Sequence, residues 1–249
     1  MGYAMAARTQ GGPEVIHRIE IGEITPAEGE VVIEHQAIGI NFIDIYIRTG
    51  AYPWPVDENL ILGSEGAGIV TAVGEGVSHI AVGDRVGYTL PNGAYATHRA
   101  INADLVVKLP ESISSEVAAA IMLKGLTVAY LLNDSYAVKP GDTVLFHAAA
   151  GGVGLLAGQW LKSIGANTIG TAGGSEKCKL AAQHGYDHVI DYRSEDVAAR
   201  VMEITGGAGA DVAYDSVGKD TFASTLASLK RHGTAVAFGQ SSGPYRDFK

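Results

Sequence analysis

HAAAGGVGLLAGQW, residues 147–160, decides how this chain is read. Its glycines follow the spacing G-x-G-x-x-G, with Ala149 in the first place and Gly151 and Gly154 in the other two. Before it runs TVLFHAA (143–149), an apolar stretch of strand type; after it comes an amphipathic helical stretch closed by Gly165. Strand, glycine turn and helix N-terminus in that order make a cradle for a dinucleotide pyrophosphate. The reason is that backbone N–H groups and the helix dipole there attract phosphate. Gly151 and Gly152 let backbone approach the phosphates, and Gly154 lets the helix pack close to the strand. Alanine at 149 fits provided that the turn needs no positive φ at that residue.

Beyond the cradle the alternation continues. NTIGTAG (167–173), HVIDY (188–192), DVAYDSVG (211–218) and TAVAFGQ (234–240) read as strands. SEKCKLAAQHG, SEDVAARVMEITGG and DTFASTLASLKRHG read as the helices between them, with Gly165, Gly185 and Gly233 as left-handed caps at helix ends. Near-continuous apolar strands alternating with amphipathic helices predict a doubly wound parallel sheet.

The tip of the second strand bears on which dinucleotide is held. A reader of NAD places Asp or Glu about 20 residues after the cradle to hold the ribose 2′-hydroxyl. Here the tip reads GTAGGSEK: Gly173, Gly174 and Ser175 leave room, and Lys177 offers a cation suited to a 2′-phosphate. Glu176 falls in the first turn of the next helix, where an acid is favoured anyway. The expectation is NADPH, with Lys177 as an ordinary solvated helix lysine the alternative.

The first 110 residues have a different rhythm. VIHRIEI (15–21), VVIEHQAIGI (31–40), GAGIVTAVG (66–74), DRVGYTL (84–90) and AYATHRAI (94–101) are short strands cut by turns, as in a small antiparallel barrel or sandwich. NFIDIYIRTG reads as a short helix capped by Asn41 and ended by Gly50. SSEVAAAIMLKGLTVAYLL (114–132) reads as a long helix with a break near Gly125. The reading is of two domains, 1–120 and 121–249.

Composition narrows the functional classes. A formal net charge of −9 disfavours a nucleic-acid partner, which would want a basic face. One cysteine, Cys178, leaves no intrachain disulfide and no Cys-based zinc site, which suits a reducing cytoplasm. No signal peptide is visible, and no stretch approaches 18 uncharged apolar residues, so no membrane span is expected. His184 and His188 stand four apart but with Gly185 between them, so they read as turn residues, and no metal site is expected. Cys178 reads as an ordinary residue on the helix after the second strand, with a pKa lowered by the two lysines beside it the alternative. Arg48 reads as a surface arginine, with attraction of an anionic group the alternative.

AIGINFIDIYIRTGAYP (37–53), LGSEGAGIV (62–70), LKGLTVAYLL (123–132), FHAAAGGVG (146–154), YDSVG (214–218) and FGQSSG (238–243) together resemble the medium-chain dehydrogenase/reductase family. Within it the match is to the zinc-free, zeta-crystallin-like NADPH:quinone oxidoreductases, and it runs over essentially the whole chain. The resemblance implies a GroES-like β-barrel domain followed by a Rossmann domain, with an active-site cleft between them. Zinc-dependent relatives carry a Cys and a His where this chain has Ile43 and Ser64.

The resemblance also implies site residues. Phe42, Ile43, Asp44, Ile45 and Tyr46 would line the nicotinamide and ribose side, with Asn41 beside them and Thr127 facing the nicotinamide. Gly152 and Val153 would meet the pyrophosphate. Gly173, Gly174, Ser175, Glu176, Lys177 and Tyr192 would hold the 2′-phosphate end. Ser216 and the run Phe238, Gly239, Gln240 and Ser241 would contact the cofactor from the tips of the fourth and fifth strands. Tyr46 and Tyr52 are candidates for substrate contact, since a phenol can stack on a quinone and donate to its oxygen. They could equally pack a loop beside Trp54 and Pro55.

Without a metal to polarise a carbonyl, electron-poor acceptors are the natural substrates, and the expected reaction is metal-free hydride transfer from NADPH to a quinone. Reduction of α,β-unsaturated carbonyls is the alternative reaction, and a nonenzymatic NADPH-binding, crystallin-like role the alternative class. The family forms homodimers. Its members also continue past the fifth strand with a sixth strand, further helices and a return segment. This chain stops at SSGPYRDFK, so the expectation is either a truncated product, which would leave a sheet edge unpaired, or a sequence that lacks its tail.

Overall fold

The computed structural model describes residues 2–54, 56 and 59–245. The chain divides into two compact units, Met1–Leu123 and Lys124–Lys249.

The described residues of the first unit form two antiparallel sheets. Strands β1 (Gly2–Ala7), β2 (Ile16–Ile21) and β4 (Leu60–Ile61) are ordered β2-β1-β4. Strands β3 (Glu30–Ile38), β5 (Glu65–Val73), β6 (Arg85–Thr89), β7 (His98–Asn102) and β8 (Val106–Lys108) are ordered β7-β3-β5-β6-β8. Period-two patterning explains the core: Val31 and Ile33 of β3 point inward with Val70, Val86, Tyr88 and Ile101. The strand expected over 94–101 begins only at His98, because Ala96 is engaged in an isolated bridge to Ala4 of β1. The strand β1 was not read from the sequence at all; its alanines and glycine carry little β-signal, and it exists because β2 and β4 pair with it on either side.

Helix α1 (Phe42–Thr49) is capped as expected, with Asn41 at its N-terminus and Gly50 in the left-handed region at φ 81°. Helix α2 (Ser115–Tyr130) runs through Gly125 without the expected break and ends in a π-helical turn, Leu131–Ser135. A single glycine among good helix formers costs only about 1 kcal/mol, too little to interrupt a helix packed at both ends. Residues Ser115–Ser135 reach a mean hydropathy of 1.5 and are by length and composition apolar enough to span a membrane. Ala118 and Ala119 pack in the core of the first unit, and Val128, Leu131 and Leu132 in that of the second, as in a core helix.

The second unit is a parallel sheet ordered β11-β10-β9-β12-β13, built from β9 (Thr143–Phe146), β10 (Asn167–Ala172), β11 (His188–Asp191), β12 (Ala210–Asp215) and β13 (Leu229–Ala237). The connections are α3 (Gly152–Ile164), α4 (Ser175–Gln183), α5 (Val197–Ile204) and α6 (Phe222–Ala227). Both sheet faces are covered. Val144, Phe146, Val212 and Tyr214 pack one way with α3, and Leu145, Ile169 and Ala213 the other way with Val201 of α5.

One element departs from the reading of DTFASTLASLKRHG as a helix. Helix α6 stops at Ala227, and β13 begins at Leu229, with a bulge that lets Leu229 pair with Ala210 and Thr234 with Val212. Lys230 in that bulge pairs with Asp211 at the start of β12, a tertiary contact that periodicity does not contain. Gly233 is therefore no helix cap, and the left-handed residue beside it is His232, at φ 63°.

Candidate active site

At the carboxyl ends of β9, β10 and β12, where the strand order reverses, lies a cavity of about 530 Å³. That position is where open α/β sheets bind ligands, and the volume is within the range of small-molecule sites. Its walls include the cradle residues Ala148, Ala150 and Gly151, the β10 tip through Gly173, Lys177, Tyr192, Val217, Thr221 and Ser241, and the acids Glu195, Asp196 and Asp220.

The cradle is built by close approach. A methyl on Gly154 would lie 2.5 Å from the Ala148 carbonyl oxygen and 2.7 Å from the Ala149 Cα, so only glycine lets α3 come this near the turn. Gly151 N–H donates to the Ala148 carbonyl at 2.8 Å, and Ala149 N–H to the Thr171 carbonyl at 2.9 Å. The left-handed residue of the turn is Ala148, at φ 53°, while Ala149 is fully buried and keeps a negative φ. Its methyl occupies the space above Gly170, where an added Cβ would come within 2.7 Å of it. Ala149 thus fills the core beneath the cradle.

A buried polar chain underlies the cavity. Thr171 Oγ1 is 3.1 Å from His147 Nδ1, His147 Nε2 is 3.0 Å from Thr225 Oγ1, and Thr225 donates to the Asp215 carboxylate at 2.8 Å. The Thr225 hydroxyl has one proton, which goes to the carboxylate, so it accepts from His147 Nε2–H and leaves Nδ1 to accept from Thr171. Burial holds the His147 imidazole below its ordinary pKa, against the opposing pull of Asp215. Asp215 also accepts the N–H groups of Val217 at 2.8 Å and Gly218 at 3.0 Å and the Thr221 hydroxyl at 2.8 Å. In this way it shapes the loop that forms one cavity wall. None of this relay was read from the sequence; the histidine at the strand tip was its one visible sign.

Of the expected cofactor residues, Gly173, Lys177, Tyr192 and Ser241 line the cavity. Gly152 and Val153 open α3, and Gly174, Ser175 and Glu176 open α4, where Glu176 pairs with Lys179 at 3.4 Å. Ser216 and the 239–241 loop are brought together: Ser241 N–H donates to the Ser216 carbonyl at 3.1 Å, and Gly239 packs on Ser216. The Phe238 ring turns to the core, 5.8 Å from Phe146, and Gln240 packs against Gly218. Thr127 lies on α2, outside the cavity walls.

In the first unit, the segment after β3 is tied down by a second polar network. Asp44 is buried and accepts from Ser64 Oγ at 2.7 Å, the Tyr95 hydroxyl at 2.9 Å and Asn41 N–H at 3.0 Å. Asn41 in turn donates its amide to Glu65 at 2.8 Å, and Glu65 accepts Leu123 N–H at 2.8 Å. The side chains of Asn41 and Asp44 are thereby committed to holding the loop, and Ser64, Glu65 and Tyr95 are network members the sequence reading passed over. Burial beside Asp44 raises the Tyr95 phenol far above its ordinary pKa. On the outer side of α1, Phe42, Tyr46 and Tyr52 form an aromatic cluster, with ring centroids 6.0 Å and 5.2 Å apart in turn. Ile43 packs inward with Ile47, Leu62 and Trp54, while Ile45 is exposed. Pro55 lies outside the described residues.

Three expectations are corrected. Arg48 is buried, not a surface arginine, and donates to the Gly11 carbonyl at 2.6 Å. The Cys178 thiol is pushed up rather than down, first by burial and then by Asp191 and Glu195, although its neighbours in sequence are lysines. His188 opens β11, in line with the strand expected over 188–192 and against its reading as a turn residue, while His184 closes α4 and its ring bonds to the Leu180 carbonyl at 2.8 Å.

Residues 27–111 match the alcohol dehydrogenase GroES-like domain family, and residues 152–248 the zinc-binding dehydrogenase family. The quinone oxidoreductase of Salmonella typhimurium is 53% identical over 235 residues, covering 94% of this chain and 72% of the relative. The chain belongs to the quinone oxidoreductase family of medium-chain dehydrogenases/reductases. The 2-haloacrylate reductase of a Burkholderia species is 42% identical, covering 98% of this chain and 74% of its own. The crystal structure of Escherichia coli quinone oxidoreductase complexed with NADPH superposes with a TM-score of 0.96 at 50% identity, covering 99% of this chain and 76% of that one. At the two positions where the resemblance puts zinc ligands stand Ile43, a hydrocarbon, and Ser64, whose hydroxyl is given to Asp44.

Proposed function

We propose that this chain is an NADPH-dependent oxidoreductase whose acceptor is a small, electron-poor quinone. The observation that carries the reading is the cavity at the strand tips, with a glycine-tight cradle on one side and an acid-free β10 tip flanked by Lys177 and Tyr192 on the other. A cofactor of this class fits. The cradle at Gly151–Gly154 is closed to any side chain at 154, and its N–H groups and the N-terminus of α3 suit a pyrophosphate. Lys177 and Tyr192 would hold the 2′-phosphate, and the missing side chains at Gly173 and Gly174 leave the space that the Tyr192 ring and Arg193 occupy rather than open room for the phosphate itself. When bound, the nicotinamide supplies a hydride.

The protein's own contribution is binding, orientation and hydrogen bonding. The His147–Thr225–Asp215 relay holds the Val217–Thr221 wall, and the Asp44–Glu65 network holds α1. Tyr46 and Tyr52 make an aromatic pair able to stack on a planar acceptor and donate to its oxygen. No general acid is needed, since a reduced quinone takes its proton from water. Reduction of α,β-unsaturated carbonyls is the second reading, favoured by the likeness to a 2-haloacrylate reductase. Stopped-flow mixing of protein and NADPH with a panel of quinones and enones separates the two. Faster NADPH oxidation with quinones is expected, a preference for enones would reverse the assignment, and no oxidation with any acceptor would overturn both.

A further inference from the structure

Charged side chains cluster around the β10 and β11 tips. These strands are adjacent and parallel, with Ala172 opposite Asp191, so the Gly173–Gly174 turn and the Tyr192–Arg193 turn emerge side by side. The Arg193 guanidinium lies along the glycine turn: a methyl on Gly173 would stand 3.1 Å from Arg193 Nε, and one on Gly174 3.1 Å from Nη1. Asp191 fastens the two turns together, one carboxylate oxygen accepting Gly174 N–H at 3.0 Å and Arg193 N–H at 3.1 Å.

Each acid of this neighbourhood has a partner. Glu176 pairs with Lys179, Glu195 takes Asp191 N–H at 3.0 Å and Arg200 at 3.4 Å, and Asp196 caps α5 through Ala199 N–H at 2.8 Å. The two cations that flank the glycine turn, Lys177 and Arg193, make no ion pair within 4 Å with a described residue, although the Arg193 charge acts through space on Asp191. A phosphate monoester carries a charge of about −1.5 to −2 near neutrality, which one lysine does not balance. A planar guanidinium adds the paired donors that phosphate oxygens accept best.

We propose that Arg193 is a second cationic ligand of the cofactor's 2′-phosphate, positioned by Asp191, and that it sets the preference for NADPH over NADH jointly with Lys177. The assignment rests on the NADPH reading above and adds to it a residue that the family match did not supply. Its test is direct binding, measured calorimetrically on the full chain, of NADPH, NADH, 2′,5′-ADP and 5′-AMP. Arg193→Gln should weaken NADPH and 2′,5′-ADP by roughly tenfold to thirtyfold. It should leave NADH and 5′-AMP within about twofold of wild type, with Arg193→Lys falling between. Equal weakening of all four ligands would assign Arg193 a structural role and overturn the proposal, as would NADPH binding unchanged in Arg193→Gln. Wild-type protein that binds NADPH no better than NADH would instead remove the NADPH reading on which the proposal stands.

Discussion

Replacing Ala148 and Ala149 by glycine, one at a time, should have opposite effects, and the structure sets both signs. Ala148 sits at φ 53°, where an L-residue with a Cβ costs about 1–2 kcal/mol. Ala148→Gly removes that cost but adds the larger entropy of glycine in the unfolded chain, about 0.5–1 kcal/mol, for a net gain of roughly 0.5–1 kcal/mol. Ala149 is fully buried, and its methyl fills the gap over Gly170. Ala149→Gly loses about 0.8 kcal/mol of methyl burial and a further 0.5–1 kcal/mol of chain entropy, a net loss of roughly 1.5 kcal/mol. The two variants should therefore differ by roughly 2 kcal/mol, or about 1 M in urea midpoint for m near 2 kcal/mol per M. Unfolding followed by Trp160, which lies in α3 itself, in a shared Trp54→Phe background, would measure it. Ala149→Gly as stable as its parent, or Ala148→Gly less stable, would refute the placement of the left-handed residue.

Two further outcomes follow from single sites. Gly154→Ala must push the new methyl off backbone atoms 2.5–2.7 Å away, so NADPH affinity should fall at least tenfold in a titration while the helix content by circular dichroism holds; unchanged affinity would count against the cradle. His35, whose Nδ1 donates to the Ala96 carbonyl and whose Nε2 accepts the Tyr88 hydroxyl, has its pKa lowered from 6.5 to about 4 by burial, with Arg99 and His98 adding repulsion. The unfolded chain therefore binds the proton first, so stability is full above pH 6.5 and falls as pH drops towards 4, by at most about 3 kcal/mol. In His35→Gln this part of the slope should vanish, and parallel stability–pH curves for the two proteins would exclude the role.

Local pattern was enough for much of this protein. The alternation of apolar strands with amphipathic helices after residue 140 specifies a parallel sheet, because a strand buried on both faces must be apolar throughout. The cradle, the caps at Asn41, Gly50 and Gly165, and the acid-free tip at Gly173–Lys177 are likewise matters of spacing within a few residues. Tertiary structure decided what depends on partners far along the chain. Cys178 sits between lysines in sequence, but burial and, after it, Asp191 and Glu195 nearby in space push its thiol pKa up. Arg48 is buried because the Gly11 carbonyl is there to receive it, and α6 gives way to β13 where Lys230 finds Asp211. The identity of the left-handed alanine, the His147–Thr225–Asp215 relay and the seat of Arg193 against Gly173 and Gly174 have the same origin. A residue's type states which interactions it can make, while burial and the positions of distant donors and acceptors select the ones it does make.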